Sequence, residues 1–239
     1  MTHTGRAIHR KLGLNNKSLY CIIIQNSVSY YTMKGNNVML ICESNVIEDY
    51  LAESDEVDLS HLSIREKASE ILAKSANEEE FVRQSYEFVR DEISHSWDIQ
   101  SPRITRKASE VLYFKEGICY AKSNLLCALL RSGGIPAGFC YQRLTLGDTP
   151  DTGYCIHALN AVFLRPHQKW IRLDSRGNKA GVNAAFSVHE EKLAFPVRES
   201  YHETDYPQIY SQPHPKTIKA LIQHTDCMTM CLHGLPAEL

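Results

Sequence analysis

The sequence predicts an α+β fold, with helices packed on an antiparallel sheet. Three observations carry this. Two capped amphipathic patterns fill residues 63–93. An apolar helical stripe follows at 119–132, closed by "SGG". Three strand-like runs then succeed one another, "AGFCYQRL", "HALNAVFL" and "KWIRLD". Helices first and strands later is the α+β order rather than the βαβ alternation of a parallel sheet.

Each element has a local reason. "SIREKASEILAKSA" offers Ser63 and Glu66 as a capping box and aligns Ile64, Ala68, Ile71 and Leu72 on one face. "NEEEFVRQSYEFVRDEI" repeats the device, with Asn77 as cap and Glu80 three residues on. "SPRITRKASEVLYFKEG" reads as a loop through Pro102 and a short helix around Ala108 to Phe114. In the next helix Leu125, Leu126, Leu129 and Leu130 form the stripe, and Pro136 forbids continuation past the glycines. "RPHQ" reads as the turn between the last two strands. Beyond Asp174 the chain is loop-rich, and "PKTIKALIQHTD" closes it as a helix. The tyrosine-bearing stretch "FPVRESYHETDYPQIY" has two readings, a cover over a cleft or packing around the core.

Composition narrows the class. A chain of 239 residues, 43% hydrophobic and 23% charged, can bury one sizeable core. A net charge of -2 gives no reason to expect nucleic acid or an anionic membrane as partner. No apolar run reaches the length of a membrane span. The eight cysteines form no compact disulfide framework and read as reduced thiols of a cytoplasmic protein. Residues 1–42 hold no acidic residue, whereas all 28 lie in 43–239. The expectation is an extension over 1–42 outside the core, with Met33 and Met39 as candidate starts, and one domain over 43–239. A transit-like leader is the weaker reading of that segment.

Cys119 opens the apolar helix directly after Gly117 and Ile118. It lies within about 20° of Leu126 and Leu130 around the helix axis, and so faces the packed side. A helix N-terminus favours a thiolate and offers free N–H groups to an oxyanion. Taken alone, an inward cysteine is more often inert packing. The downstream strands change the balance. If "RPHQ" closes a hairpin with Leu164 opposite Lys169, then Leu159 faces Asp174 and His157 faces Arg176. His157 and Asp174 become diagonal neighbours about 7–8 Å apart at the backbone. The carboxylate can hold one ring nitrogen and leave the other for the thiol.

At these residues the chain resembles the transglutaminase-like superfamily, a papain-like cysteine fold, in the form of a small bacterial-type domain protein. The resemblance is carried by "GICYAKSNLLCALLRSGGIPA", by "HALNAVFL" with His-Ala at a strand head, by "KWIRLDSRGN" with its Trp and Asp, and by "KASEVLYFKEG" before the cysteine. It covers roughly 65–180. Leu159 and Ser175 depart from the Trp and Pro that many members carry there. The resemblance implies Cys119 as nucleophile, His157 as general base and acid, and Asp174 as the residue orienting His157. It implies thiol-dependent acyl transfer on a peptide or protein amide through a thioester, ended by water or by an amine acceptor, with no cofactor and no metal. Candidates for the second oxyanion donor and for substrate contacts are Trp97, Gln100, Tyr113, His95 and Gln142.

Three rival readings stand beside this one. His224, Cys227, Cys231 and His233 are close in sequence, but a zinc site normally requires a second half. Cys227, Met230 and Cys231 fit one apolar helical face better. The fold could instead serve as a non-catalytic binding module, or the same three residues could transfer an acetyl group from a thioester donor.

Overall fold

A computed structural model describes residues 30–32 and 39–239. In chain order the elements are β1 (Tyr30–Thr32), β2 (Met39–Cys42), α1 (Leu62–Lys74), α2 (Glu78–Glu92), β3 (Ser94–His95), α3 (Ala108–Phe114), β4 (Glu116–Gly117), α4 (Cys119–Ser132), β5 (Ala137–Thr145), β6 (Tyr154–Leu164), β7 (Lys169–Leu173), β8 (Thr204–Asp205), β9 (Gln208–Ile209), α5 (Pro215–Gln223) and α6 (Cys227–His233). The main sheet has the order β7-β6-β5-β8, and all its pairings are antiparallel. α4 lies on β5 and β6, with α1, α2 and α3 against its other sides. The α+β expectation holds.

α4 is central, which explains its composition. Tyr120 through Arg131 are all buried, as expected of a helix surrounded on every side. Its nitrogen-bearing side chains reach backbone carbonyls, whereas Ser123 Oγ and Asn124 Oδ1 are buried without a partner among the described residues. Asn124 Nδ2 donates to the Arg106 carbonyl at 2.8 Å, and Arg131 Nε donates to the Ala137 carbonyl at 3.1 Å. Leaving such buried groups unpaired would cost on the order of 1–3 kcal/mol each.

The hairpin register matches the sequence arithmetic. Leu164 pairs Lys169 and Asn160 pairs Leu173, with Arg165–His167 forming a 3-10 turn between the strands. Asn77 caps α2 as expected, its Oδ1 accepting from Glu80 N at 2.9 Å. α1 differs. It begins at Leu62, and the His61 side chain caps it by accepting from Ser63 N, so Ser63 is not the cap. The closing helix is two helices: α5 ends at Gln223, and Asp226 then caps α6 by accepting from Thr229 N at 2.7 Å.

The domain boundary placed after residue 42 needs correction. β2 pairs β1 antiparallel and β9 parallel, in a second sheet of order β1-β2-β9. Leu40 is buried with Tyr50, Trp170 and Ile209 on the face of the main sheet turned away from α4. Residues 39–42 thus belong to the core, and the rest of the proposed extension, apart from the β1 backbone, lies outside the described residues. A chain begun at Glu43 loses the burial of Leu40, worth about 2 kcal/mol. It should melt about 4–8 °C below a chain begun at Met39 in a thermal scan. Among the described residues no helix is long and apolar enough to cross a membrane.

Candidate active site

The site begins with backbone geometry at the start of α4. Ile118 is extended and makes no side-chain cap, and the helix starts at Cys119. The first N–H groups of a helix lack intrahelical acceptors, so this end is electropositive. β4 feeds into it and pairs in parallel with β3, setting His95 opposite Gly117. Gly117 is required there: a Cβ would stand 2.9 Å from Thr105 Oγ1 and 3.1 Å from Ala121 Cβ. Thr105 Oγ1 donates to the Glu116 carbonyl at 2.9 Å and holds this crossing.

His157 and Asp174 come from β6 and from the residue just past β7. Their contact is direct: His157 Nε2 lies 2.8 Å from Asp174 Oδ2, with both side chains almost fully buried. Asp174 is fixed from two further sides. Its Oδ1 accepts from Arg176 N and its Oδ2 from Ala194 N, each at 3.1 Å. Phe195 packs edge-on against the His157 ring, 5.3 Å between centroids. Cys119 lies beside His157, near enough for its sulfur to help raise the imidazole pKa. With Nε2 committed to Asp174, Nδ1 is left for the thiol.

The electrostatics follow from these contacts. Burial alone would push the His157 imidazolium down, but the charge and hydrogen bond of Asp174, joined by the Cys119 contact, outweigh it and raise the pKa to about 10. Burial would raise Asp174; the charge and hydrogen bond of His157 and the two backbone donors hold it below its ordinary value instead. His157 is therefore cationic at neutral pH, as a thiolate partner requires.

Cys119 and His157 open onto a cleft of about 690 Å³. His95 and Trp97 form one wall. His95 Nδ1 is buried without a hydrogen-bond partner. Burial, then the charge of Arg176, then Lys122 and His157 hold His95 well below its ordinary pKa against the opposing pull of Asp98. It is a neutral imidazole beside a charged one. Lys122, one turn along α4 from Cys119, is also buried. Burial and the charge of Arg176 lower it to about 7 against the pull of Asp174, and its Nζ donates to the Ile93 carbonyl. Gly177, at φ +107°, passes close to this ammonium.

Three of the eight sequence candidates do not reach the cleft. Tyr113 is 80% exposed on the outer face of α3, edge-on to Phe114. Gln100 is exposed, and its Nε2 donates to the Trp97 carbonyl at 2.6 Å. Gln142 is buried on β5 directly opposite His157, but is not part of the cleft lining. Cys119, His157, Trp97 and His95 do line it, with Asp174 behind His157. Sequence reasoning missed Ala194 and Lys179, which arrive from the irregular segment after β7 and carry no periodic signal, whereas Phe195, Arg198 and Glu203 belong to the tyrosine-bearing stretch read as a cover or as packing and do line the cleft. Cys155 and Cys231 also face the cleft, whereas Cys127 and Cys140 are buried, with burial raising both thiols. His224, Cys227, Cys231 and His233 form no metal site, and among the described residues no group of three or more such side chains could hold an ion. Cys227 and Cys231 do share the buried face of α6 with Met230.

The model of the Transglutaminase-like superfamily matches residues 65–175, which include Cys119, His157 and Asp174. No curated protein sequence matches the chain. Among solved structures, a candidate cysteine protease from Cytophaga hutchinsonii aligns at 19% identity and TM-score 0.45, over 54% of this chain and 42% of that one. The periplasmic domain of TgpA from Pseudomonas aeruginosa aligns at 19% identity and TM-score 0.40, over 53% and 45%. A protein described as a TGase aligns at 18% identity and TM-score 0.35, over 65% and 40%. The aligned region spans less than half of each of these solved chains. Residues 65–175 of the chain belong to the transglutaminase-like superfamily.

Proposed function

We propose that the protein is a cysteine-dependent acyltransferase or amidohydrolase that acts on amides of peptides or proteins. The observation that carries this reading is the placement of one buried imidazole between Asp174 and Cys119 at the edge of a cleft. The Cys119 thiolate attacks the amide carbonyl, forming a C–S bond. The tetrahedral oxyanion is held by the Cys119 backbone N–H and by a second donor from the opposite wall, where His95 and Trp97 are the two rings with an N–H to offer. His157 gives its proton to the leaving amine as the C–N bond breaks, and a thioester remains. Water, or an amine acceptor, then attacks the thioester and gives up a proton to His157, and the thiolate leaves. Asp174 holds the ring in orientation and stabilises its charge throughout.

The same reading puts the protein in the cytoplasm or another reducing compartment. Its support is that the seven described cysteines are unpaired, with Cys227 and Cys231 sulfurs 3.9 Å apart and not bonded.

The test is p-nitrophenyl acetate, a reactive ester that a thiolate can attack without a dedicated binding site. Wild type should release p-nitrophenolate in a burst at pH 6.5 and carry the acetyl group on the Cys119 peptide by mass spectrometry. Cys119→Ser should lose both, and His157→Ala should lose the burst. An acetyl group spread over other cysteines, or an unchanged burst in His157→Ala, contradicts the reading.

A further inference from the structure

The cleft is not electrically even. Asp98, on the loop after β3, is shared by two cations. The Arg176 guanidinium grips both its oxygens, Nη2 at 2.9 Å from Oδ1, and is itself buried. Lys179 Nζ lies 2.8 Å from the same Oδ1 but keeps 46% of its side chain exposed. One carboxylate facing two cations leaves one positive charge over. Arg176 and Lys179 both line the cleft that holds Cys119 and His157. Arg198, the other arginine of the lining, is neutralised by Glu203. The charge of Arg176 contributes to lowering both His95 and Lys122, after burial, while Asp98 pulls both the other way.

Lys179 is also held in place. Its backbone is pinned by a reciprocal pair: Lys179 N donates to the Val182 carbonyl at 3.2 Å and Val182 N donates to the Lys179 carbonyl at 2.9 Å. Leu144, Leu146, Leu232 and Leu235 supply apolar lining elsewhere in the cleft. Asp148 is a lining residue from the segment between β5 and β6, outside the Asp98 cluster.

We propose that Lys179 determines specificity, drawing a substrate carboxylate towards the Cys119 end of the cleft. The inference deepens the acyl-transfer reading and rests on it for the word substrate: the favoured donors are amides that carry a carboxylate close to the scissile carbonyl. Neutral amides of the same size bind less well. Arg176 keeps the cationic end in place, because its buried pairing with Asp98 fixes the carboxylate that Lys179 shares.

Iodoacetate and iodoacetamide test this without a known substrate. They are the same size, alkylate the same sulfur with loss of iodide, and differ in one negative charge. The readout is the ratio of their rates on the Cys119 peptide, followed by mass spectrometry at low salt. Lys179→Ala should lower the iodoacetate-to-iodoacetamide ratio about three-fold and Lys179→Glu about ten-fold, with both effects shrinking in 0.5 M salt. Lys192→Glu, outside the cleft, should leave the ratio unchanged. A ratio in Lys179→Glu equal to that of the Lys192→Glu control overturns the proposal. Repeating the ratio at pH 9, where any accessible thiol reacts, separates the two readings. A slow Cys119 at neutral pH with the charge effect intact sinks the acyl-transfer mechanism and leaves the cationic end standing.

Discussion

The two walls of the cleft each bring a histidine to Cys119, and their surroundings drive them in opposite directions. On the β6–β7 wall, His157 has a carboxylate behind it and its pKa rises to about 10. On the β3–β4 wall, His95 has Arg176 and Lys122 behind it and is held well below its ordinary pKa. Burial lowers both rings, so burial does not distinguish them. The sign of the charge in the second layer does. One fold thereby offers a cationic imidazole to stabilise a thiolate and a neutral one able to donate to an oxyanion without competing for the negative charge.

The sharpest way to break this contrast is to remove the carboxylate. Asp174→Asn leaves the shape but takes away the charge that raises His157, so the acetylation burst of Cys119 should fall about 10³–10⁴-fold. If the burst persists at wild-type rate, the β6–β7 wall owes nothing to Asp174. The other wall is tested by His95→Ala and Trp97→Phe. Whichever ring donates to the oxyanion should cost about 10²-fold in acetyl transfer from p-nitrophenyl acetate. Alkylation of Cys119 by iodoacetamide should be nearly unchanged in that variant, because that displacement passes through no oxyanion. Equal losses in both reactions would mean that the wall only supports the thiol.

The smallest effect is on stability against pH, where the two signs can be read separately. His157 binds its proton more tightly folded than unfolded. Its contribution is full below about 6.5 and is lost as pH rises towards about 10. Lys122 runs the other way. Its folded pKa is lowered to about 7 from 10.5, so the unfolded chain holds the proton through that window and stability rises with pH. Melting curves from pH 6 to 10 should therefore fall less steeply for His157→Gln than for wild type, and more steeply for Lys122→Met. Matching slopes in all three proteins would contradict both assignments.

What was legible in the sequence was local or followed from a short turn. The Asn77 cap, the α3 limits and the Leu164–Lys169 register all depend on residues within a few positions of one another, and the register carried His157 to Asp174. β2 was not legible, because its partner β9 lies more than 160 residues away and four residues set no period. His61 displaced Ser63 as the α1 cap because an imidazole nitrogen two residues earlier can accept the same kind of backbone bond. Tyr113 was a poor candidate by helix geometry, since Ala108, Val111 and Leu112 define the buried face of α3 and leave it outside. Ala194 and Lys179 had no signal, because irregular chain carries none, whereas Phe195 opens the stretch whose length and tyrosines suggested a cover over the cleft. Arg176 had one: the hairpin arithmetic placed it opposite His157, but not its pairing with Asp98.

Acyl transfer at the cleft depends on the pairing of Cys119 with His157, which the pH dependence of Cys119 alkylation reads without a substrate. Iodoacetamide should modify the Cys119 peptide rapidly at pH 6 in wild type, and about 10²-fold more slowly in His157→Ala. If both proteins react only as pH rises through the ordinary thiol range, with the same profile, Cys119 is a packing residue and the central claim is wrong.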